Sequence, residues 1–254
     1  MGWVAKKGWR PAAVLLLLLC IWELAVKMLD IPEWLLPAPS SIFAEGMEGF
    51  EGILPHLQST VGLAAGGFVI GCAVGLLTAV ILHLLPGVQE SVYPLLILSQ
   101  NVPIIVLAPL LVIWFGFGLL PKIIVITLVC FFPVTVAAMD GFRNVPHDMK
   151  HYMLMAGASK IQLFSKLEWP YALSSVFSGL KISATYSVMG AVISEWLGAK
   201  SGIGVYMTLS SSSFRTDRVF VAIFIIMMLS LLFFAVITFA EAKLVKWRRK
   251  KVNR

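Results

Sequence analysis

Charge is scarce in this 254-residue chain. Asp, Glu, Lys and Arg together make up 13% of it, about half the roughly 25% usual for a globular protein. Apolar residues make up 59%, and the mean hydropathy is +0.91. A soluble domain of this composition would lack the polar surface needed to cover its core; a bilayer removes that difficulty by acting as the solvent. Cysteine is nearly absent too. Cys20, Cys72 and Cys130 each lie inside an apolar run, and no pair has redox or metal spacing, so they read as small buried hydrophobes. Catalytic signatures are missing: there is no G-x-x-x-x-G-K-[ST] phosphate loop, no H-E-x-x-H and no G-x-S-x-G elbow. Of the four histidines, His147 and His151 would share a helix face, but a metal site needs more ligands than two. No catalytic residue, metal or cofactor is therefore expected.

The charge that is present is basic, with a net value of +7. Its strongest run, Lys243 to Arg254, directly follows an apolar span. A membrane anchor accounts for this better than a nucleic-acid surface, which would interleave basic with aromatic or polar groups on a folded face. Six spans partition the chain. The first is Val14 to Leu29; Glu23 and Lys27 interrupt it and no small-x-small site follows closely, which favours a retained helix over a cleaved signal. Glu23 and Lys27 are four apart and can pair along the helix. Pro32, Pro37 and Pro39 end it, and Ser40 or Ser41 is placed to cap a short amphipathic helix. The second span, Val61 to Leu85, carries Gly67, Gly71 and Gly75 in one series, a face that lets another helix approach closely. The third, Val92 to Phe115, holds Pro94, Pro103 and Pro109 with Gln100 and Asn101 near its middle. A kinked helix follows from these, either beside a translocation path or purely structural. The fourth is Leu119 to Met139, the fifth Tyr171 to about Leu197 and the sixth Val219 to Ala240, with Gly198 to Arg218 reading as a loop.

Lysine and arginine concentrate on one side: Lys6, Lys7 and Arg10; Arg143, Lys150, Lys160 and Lys166; and the tail. By the positive-inside rule both termini and the segment Asp140 to Pro170 are cytoplasmic. That segment is long enough to hold structure of its own. Pro146 can open a helix with Asp148 favourable in its first turn. The helix runs to Gly157, a natural stop. Ser159 and Gln162 then form a capping box that starts a second helix, which Pro170 should end. Tyr152, Met153, Leu154 and Met155 would present an apolar face, and such a face at a membrane edge calls for a partner.

This segment resembles the cytoplasmic motif of binding-protein-dependent ABC importer permeases, E-A-A, three residues, G, nine residues, I-x-L-P. Gly157 and Pro170 stand at the matching separation and Leu167 at the isoleucine position. Trp169 replaces the leucine, and His151, Tyr152 and Met153 occupy the E-A-A positions. Leu36-Pro37-Ala38-Pro39-Ser40, Pro109-Leu110-Leu111 through Trp114-Phe115-Gly116, and Glu195-Trp196-Leu197-Gly198-Ala199 with Gly202-Ile203-Gly204 are similar to segments of the nitrate, taurine, sulfonate and thiamine-precursor group. The similarity covers nearly the whole chain.

The resemblance implies an all-α polytopic membrane protein of about six transmembrane helices, a type I ABC importer permease-like bundle with a cytoplasmic coupling helix. Residues 1–13 would be a cytoplasmic N-terminus and 14–58 the first transmembrane helix with an external proline-rich segment. Residues 59–240 would be the permease core with five transmembrane helices and the coupling loop 140–170, and 241–254 a basic cytoplasmic tail. It further implies a multi-pass location in the plasma (cytoplasmic) membrane, a separate ATP-binding subunit, an external solute-binding protein and a second permease copy, forming a homodimer. Tyr152, Met155, Ala156, Gly157, Ala158 and Ser159 would contact the ATPase. The segment from Gly190 to Gly198 is most similar to permeases for pyrimidine precursors of thiamine, with sulfonate, taurine and nitrate permeases as rivals.

For the translocation path the residues themselves offer Gln100 and Asn101, and a polar face of the fifth span with Ser183, Ser187 and Ser194, bordered by Glu195. The same serines could instead hydrogen-bond within the bundle and hold it together. A secondary transporter driven by an ion gradient is the rival class; it would show internal repeats and central charges, which are not evident here. A membrane-bound enzyme lacks its catalytic cluster.

Overall fold

The computed structural model describes residues 9–245. Lys6, Lys7 and the basic tail beyond Val245, which entered the charge count, lie outside the described residues. All regular structure in 9–245 is helical. Five helices are long and apolar enough to cross a membrane: α1 (Trp9–Met28), α3 (Phe50–Leu84), α6 (Leu119–Arg143), the continuous run Lys160–Glu195, and α11 (Thr216–Leu244). A sixth crossing exists if the bent pair α4 (Pro86–Ser99) and α5 (Ile104–Phe115) is counted as one span. Shorter helices are α2 (Pro39–Glu48), α7 (His147–Met155), α8 (Lys160–Leu163) and α10 (Ile203–Ser212). The run from Lys160 continues from α8 through a π-turn, Phe164–Glu168, into α9 (Trp169–Glu195).

Helix α6 is the centre of the bundle, lying between α3 and α9. Its neighbours approach so closely because they present glycine. A Cβ at Gly71 would sit 2.7 Å from Cys130 Cβ and 2.8 Å from the Thr127 carbonyl; one at Gly75 would sit 2.9 Å from the Phe131 carbonyl. Gly67 faces Ile126 in the same way. On the other side a Cβ at Gly179 of α9 would sit 2.8 Å from the Pro133 carbonyl. The glycine series read from the sequence is thus a packing face. Between lipid-bathed helices there is no water to drive association, so close backbone contact and interhelical hydrogen bonds supply the attraction. Thr135 Oγ1 donates to the Gly75 carbonyl (3.1 Å) and Ser183 Oγ to the Cys130 carbonyl (2.8 Å).

Several local expectations need correction. The third span is not one kinked helix: α4 and α5 meet at 98°. Pro103 has no N–H to continue the ladder, and Asn101 Nδ2 donates back to the Ile97 carbonyl (2.9 Å), satisfying a group the break would orphan. Neither Ser40 nor Ser41 caps α2; Ala38 is at the N-cap with Pro39 at the first helical position. Ser40 turns instead to Glu23, its N–H at 3.0 Å and its hydroxyl at 2.7 Å. Glu23 also pairs with Lys27 at 2.7 Å, as the four-residue spacing suggests. The serine-rich loop Gly198 to Arg218 contains α10, whose hydroxyls fold back on the helix: Thr208 Oγ1 donates to the Gly204 carbonyl at 2.9 Å and Ser212 Oγ to the Thr208 carbonyl at 3.0 Å. Serine and threonine can serve a helix interior this way, which composition alone does not reveal. Pro170 does not end the second helix of the 140–170 segment. The preceding π-turn widens the helix, and the Trp169 N–H bonds to the Phe164 carbonyl, so the missing proline N–H and its bulky ring are absorbed without a break.

Overpacking the α3–α6 contact should be costly where the backbones touch. Gly71→Leu is expected to destabilise the detergent-purified protein by about 1–3 kcal/mol or prevent its folding. Gly66→Ala on the same helix, where a Cβ meets nothing within 4 Å, should leave the thermal midpoint unchanged. Equal melting of the two variants would contradict the packing assignment.

Candidate functional site

The α7 segment forms because Pro146 sets the entry and Gly157 the exit. Pro146 occupies the N-cap position with Asp148 in the first turn. Gly157 has φ +81°, a left-handed conformation that costs a side-chain-bearing residue about 1 kcal/mol. Its turn closes with the Ala158 N–H bonded to the Met153 carbonyl and the Gly157 N–H to the Leu154 carbonyl, both 3.0 Å. The capping box follows: the Gln162 N–H donates to Ser159 Oγ (3.3 Å) and the Ser159 N–H to Gln162 Oε1 (2.8 Å). The helix–turn–helix expected from the sequence is therefore present. Tyr152 is 73% exposed and Met155 80%; Ala156, Gly157 and Ser159 are exposed and Ala158 is half-buried. His147 and His151 face each other with ring centres 6.0 Å apart.

Beneath α7 lies a polar cluster that sequence reasoning missed. The Glu168 carboxylate is buried. Its Oε1 is 2.7 Å from Lys150 Nζ of α7 and its Oε2 2.7 Å from His83 Nε2 at the end of α3. Lys150 Nζ also donates to the Phe142 carbonyl at the end of α6 (3.4 Å). Phe142, Phe164 and Trp169 pack around His83 or one another, and this apolar shell strengthens electrostatics inside it. The one available signal was Glu168 itself, an acid directly before a span.

At the other end of α9 stands Glu195, 1% exposed. Thr60 Oγ1 of α3 donates to its Oε1 (2.7 Å), and the Gly204 N–H donates to its Oε2 (2.8 Å). The Ile203 N–H donates to Thr60 Oγ1 (2.8 Å). Carboxylate and hydroxyl together thus satisfy the first free N–H groups of α10, where the helix dipole also favours negative charge. The glycines of Gly202-Ile203-Gly204 follow from this: a Cβ at Gly202 would overlap the Glu195 carboxylate, and one at Gly204 would sit 2.6 Å from the Val192 carbonyl.

The proposed polar path on α9 is not open in the structure. Ser183, Ser187 and Ser194 are fully buried. Ser183 bonds to α6 as described, Ser187 Oγ donates to the Ala184 carbonyl (2.9 Å), and Ser194 Oγ to the Ala191 carbonyl (2.7 Å). Ser183 and Glu195 thus bond to neighbouring helices, whereas Ser187 and Ser194 bond within α9, whose Gly179 and Gly190 face α6. Gln100 and Asn101 are exposed at the α4–α5 break. The uncovered face of α9 instead carries Ser178, Ile182, Tyr186 and Met189. Lys181 reaches α11, where its Nζ lies 2.7 Å from Glu241 Oε2.

Residues 71–246 match the family described as binding-protein-dependent transport system inner membrane component. The chain is 36% identical over 243 residues to the formylaminopyrimidine transport permease protein ThiX of Halalkalibacterium halodurans, an alignment covering 95% of this chain and 97% of that protein. It is 30% identical over 248 residues to the putative aliphatic sulfonates transport permease protein SsuC of Bacillus subtilis, covering 96% and 89%. It is 28% identical over 235 residues to the riboflavin transport system permease protein RibX of Chloroflexus aurantiacus, covering 92% and 88%.

The Glu195 cluster predicts a stability effect. Thr60→Val removes the donor to Glu195 Oε1 and the acceptor of the Ile203 N–H, and should cost about 1–3 kcal/mol, read as a lower unfolding midpoint. Thr60→Ser keeps the hydroxyl and should retain most of the stability. An unchanged midpoint for Thr60→Val would show that the cluster contributes nothing.

Proposed function

The chain belongs to the binding-protein-dependent transport system inner membrane components, permease subunits of ABC importers for small solutes, and from this premise we propose that its solute is a pyrimidine precursor of thiamine. The observation that carries the proposal is the end-to-end similarity to ThiX, 36% over 95% of this chain. A sulfonate is the second reading, favoured by the 30% identity to SsuC over a similar span; taurine and nitrate fall in the same group. The chain is a multi-pass inner-membrane protein of transport type. On our reading ATP hydrolysis belongs to a separate subunit, an external binding protein delivers the solute, and a second, identical copy completes the path. Both termini and the 140–170 segment lie on the cytoplasmic side.

The contact with the ATPase falls on Tyr152, Met155, Ala156, Gly157, Ala158 and Ser159. What supports it is the combination of a short helix rigidly closed by Gly157 and two large apolar side chains, Tyr152 and Met155, left uncovered on it. Aromatic and methionine side chains are enriched at such contacts. For the path we propose Gln100 and Asn101 at the α4–α5 break together with the open face of α9. Tyr186 supports this. It lies nine residues inside the outer end of α9, roughly 13 Å by helical rise, and its hydroxyl has no hydrogen-bond partner among the described residues. A phenol at that depth is poorly placed against hydrocarbon and well placed against a wet path.

Uptake by proteoliposomes holding the permease, its ATPase and its binding protein tests the function. Labelled formylaminopyrimidine should accumulate only with ATP inside, and excess taurine should not compete. Competition by taurine or an alkanesulfonate would favour the second reading, and uptake under an ion gradient without the ATPase would remove the importer assignment. Met155→Glu should weaken co-purification of the ATPase at least about tenfold, the loss of a single well-packed anchor, with no change in melting. Full association of that variant would move the contact elsewhere.

A further inference from the structure

We propose that Glu168 is the positioning residue through which α7 moves the membrane helices, an inference that rests on the reading of α7 as the ATPase contact. Among the described residues, Lys150 is the one α7 side chain that makes a polar bond to another helix, and its main partner is Glu168 at 2.7 Å. The second oxygen of the same carboxylate holds His83 of α3 at 2.7 Å. One buried group therefore joins α7, the entry to α9 and the end of α3, while Lys150 Nζ adds the last turn of α6 through the Phe142 carbonyl. Of these, α3, α6 and α9 are the three helices that pack together as the bundle core.

The rest of α7 is free to engage a partner. Met149, Tyr152, Leu154 and Met155 are all exposed, so a load applied there has two routes into the membrane: the chain connections at either end, and the Lys150–Glu168–His83 relay. The connections are turns, one of them closed at Gly157 by two backbone hydrogen bonds. The relay is the route that reaches α3 and α6 directly as well as α9, and charge-assisted bonds in an apolar shell are short and strong. Glu168 also closes the π-turn Phe164–Glu168, a helical irregularity that can gain or lose a residue of register and is frequent at working sites. A displacement of Lys150 therefore acts on the point where α9 is least regular. The separation of roles on α9 follows: Glu168 carries motion in at one end, and Glu195 holds α10 and α3 in place at the other.

The test uses the full assembly of permease and ATPase in proteoliposomes, and a readout that needs no solute. In a Cys20→Ser, Tyr186→Cys background, the rate of maleimide labelling at 186 is measured with and without ATP plus vanadate. Nucleotide should change that rate at least about fivefold with Glu168 intact, the low end of ordinary allosteric coupling. In Glu168→Gln the change should fall below about twofold while ATP hydrolysis stays within about twofold of the parent, since the ATPase contact is intact and only the transmission is cut. Lys150→Gln should behave like Glu168→Gln, and Lys150→Arg, which can still pair, should recover the response; this pair also decides the matter if Glu168→Gln fails to fold. A full labelling response in Glu168→Gln or Lys150→Gln overturns the inference. So does a parallel fall of hydrolysis and response, which would mark Glu168 as a structural prop. If the parent assembly shows no nucleotide response at all, the reading of α7 fails first and this inference falls with it.

Discussion

Two buried carboxylates, Glu168 just before the start of α9 and Glu195 at its last residue, tie the bundle together at either end of that helix. Glu168 reaches His83 of α3 and Glu195 reaches Thr60 of the same helix. They are 27 residues apart along the run Lys160–Glu195, about 40 Å of helix, which exceeds the roughly 30 Å hydrocarbon core. That separation is long enough for each to sit where the bilayer gives way to an interface, and the stretch between them is almost free of charge. Ionised groups are costly at the centre of a membrane and tolerable at its edges when paired. The sequence uses that gradient: carboxylates clamp α3 to α9 at both rims, and glycine, cysteine and serine pack them through α6 in between.

The dry middle explains the polar economy of the core. Thr127 Oγ1 of α6, buried without a partner among the described residues, is an exception. Lipid offers no hydrogen bonds, so a hydroxyl placed there is otherwise driven to find a carbonyl within the protein. Ser183, Ser187, Ser194 and Thr135 do so, and in doing so become part of the scaffold. Groups left uncovered are then informative. On α9 the uncovered face carries Tyr186, and at the α4–α5 break it carries Gln100 and Asn101. A permease of this family must offer its solute a wet route while keeping its helices sealed against lipid. The division between a bonded serine face and an open tyrosine face on one helix fits both needs.

Much of the fold was legible because the physics that governs it is local. Apolar length marks the spans, Gly157 and the Ser159–Gln162 box mark the helical elbow, and Gly67, Gly71 and Gly75 mark a contact face whatever the partner. The errors have a common cause. The fifth span's serines allow two readings, a path or bonds within the bundle, because polarity on a membrane helix can mean water or an internal bond, and the packing around that face decides between them. The Gly198 to Arg218 segment was read as a loop because its serines look solvated, whereas in α10 they bond to their own backbone. Pro170 was read as a stop because a π-turn is a three-dimensional accommodation with no composition of its own.

The sequence by itself determined the membrane character, the positions of most of the long helices and the glycine-closed elbow, which depend on composition, periodicity or spacing along the chain, and it pointed to the family through the resemblance of its motifs. The tertiary structure alone decided which partner each polar side chain meets: Glu195 at the start of α10, Glu168 between Lys150 and His83, Ser183 of α9 against α6, and the 98° fold of the third span. The reason is that hydropathy acts on segments, whereas a hydrogen bond or ion pair needs two atoms from distant parts of the chain brought within about 3 Å, and only the packed bundle does that.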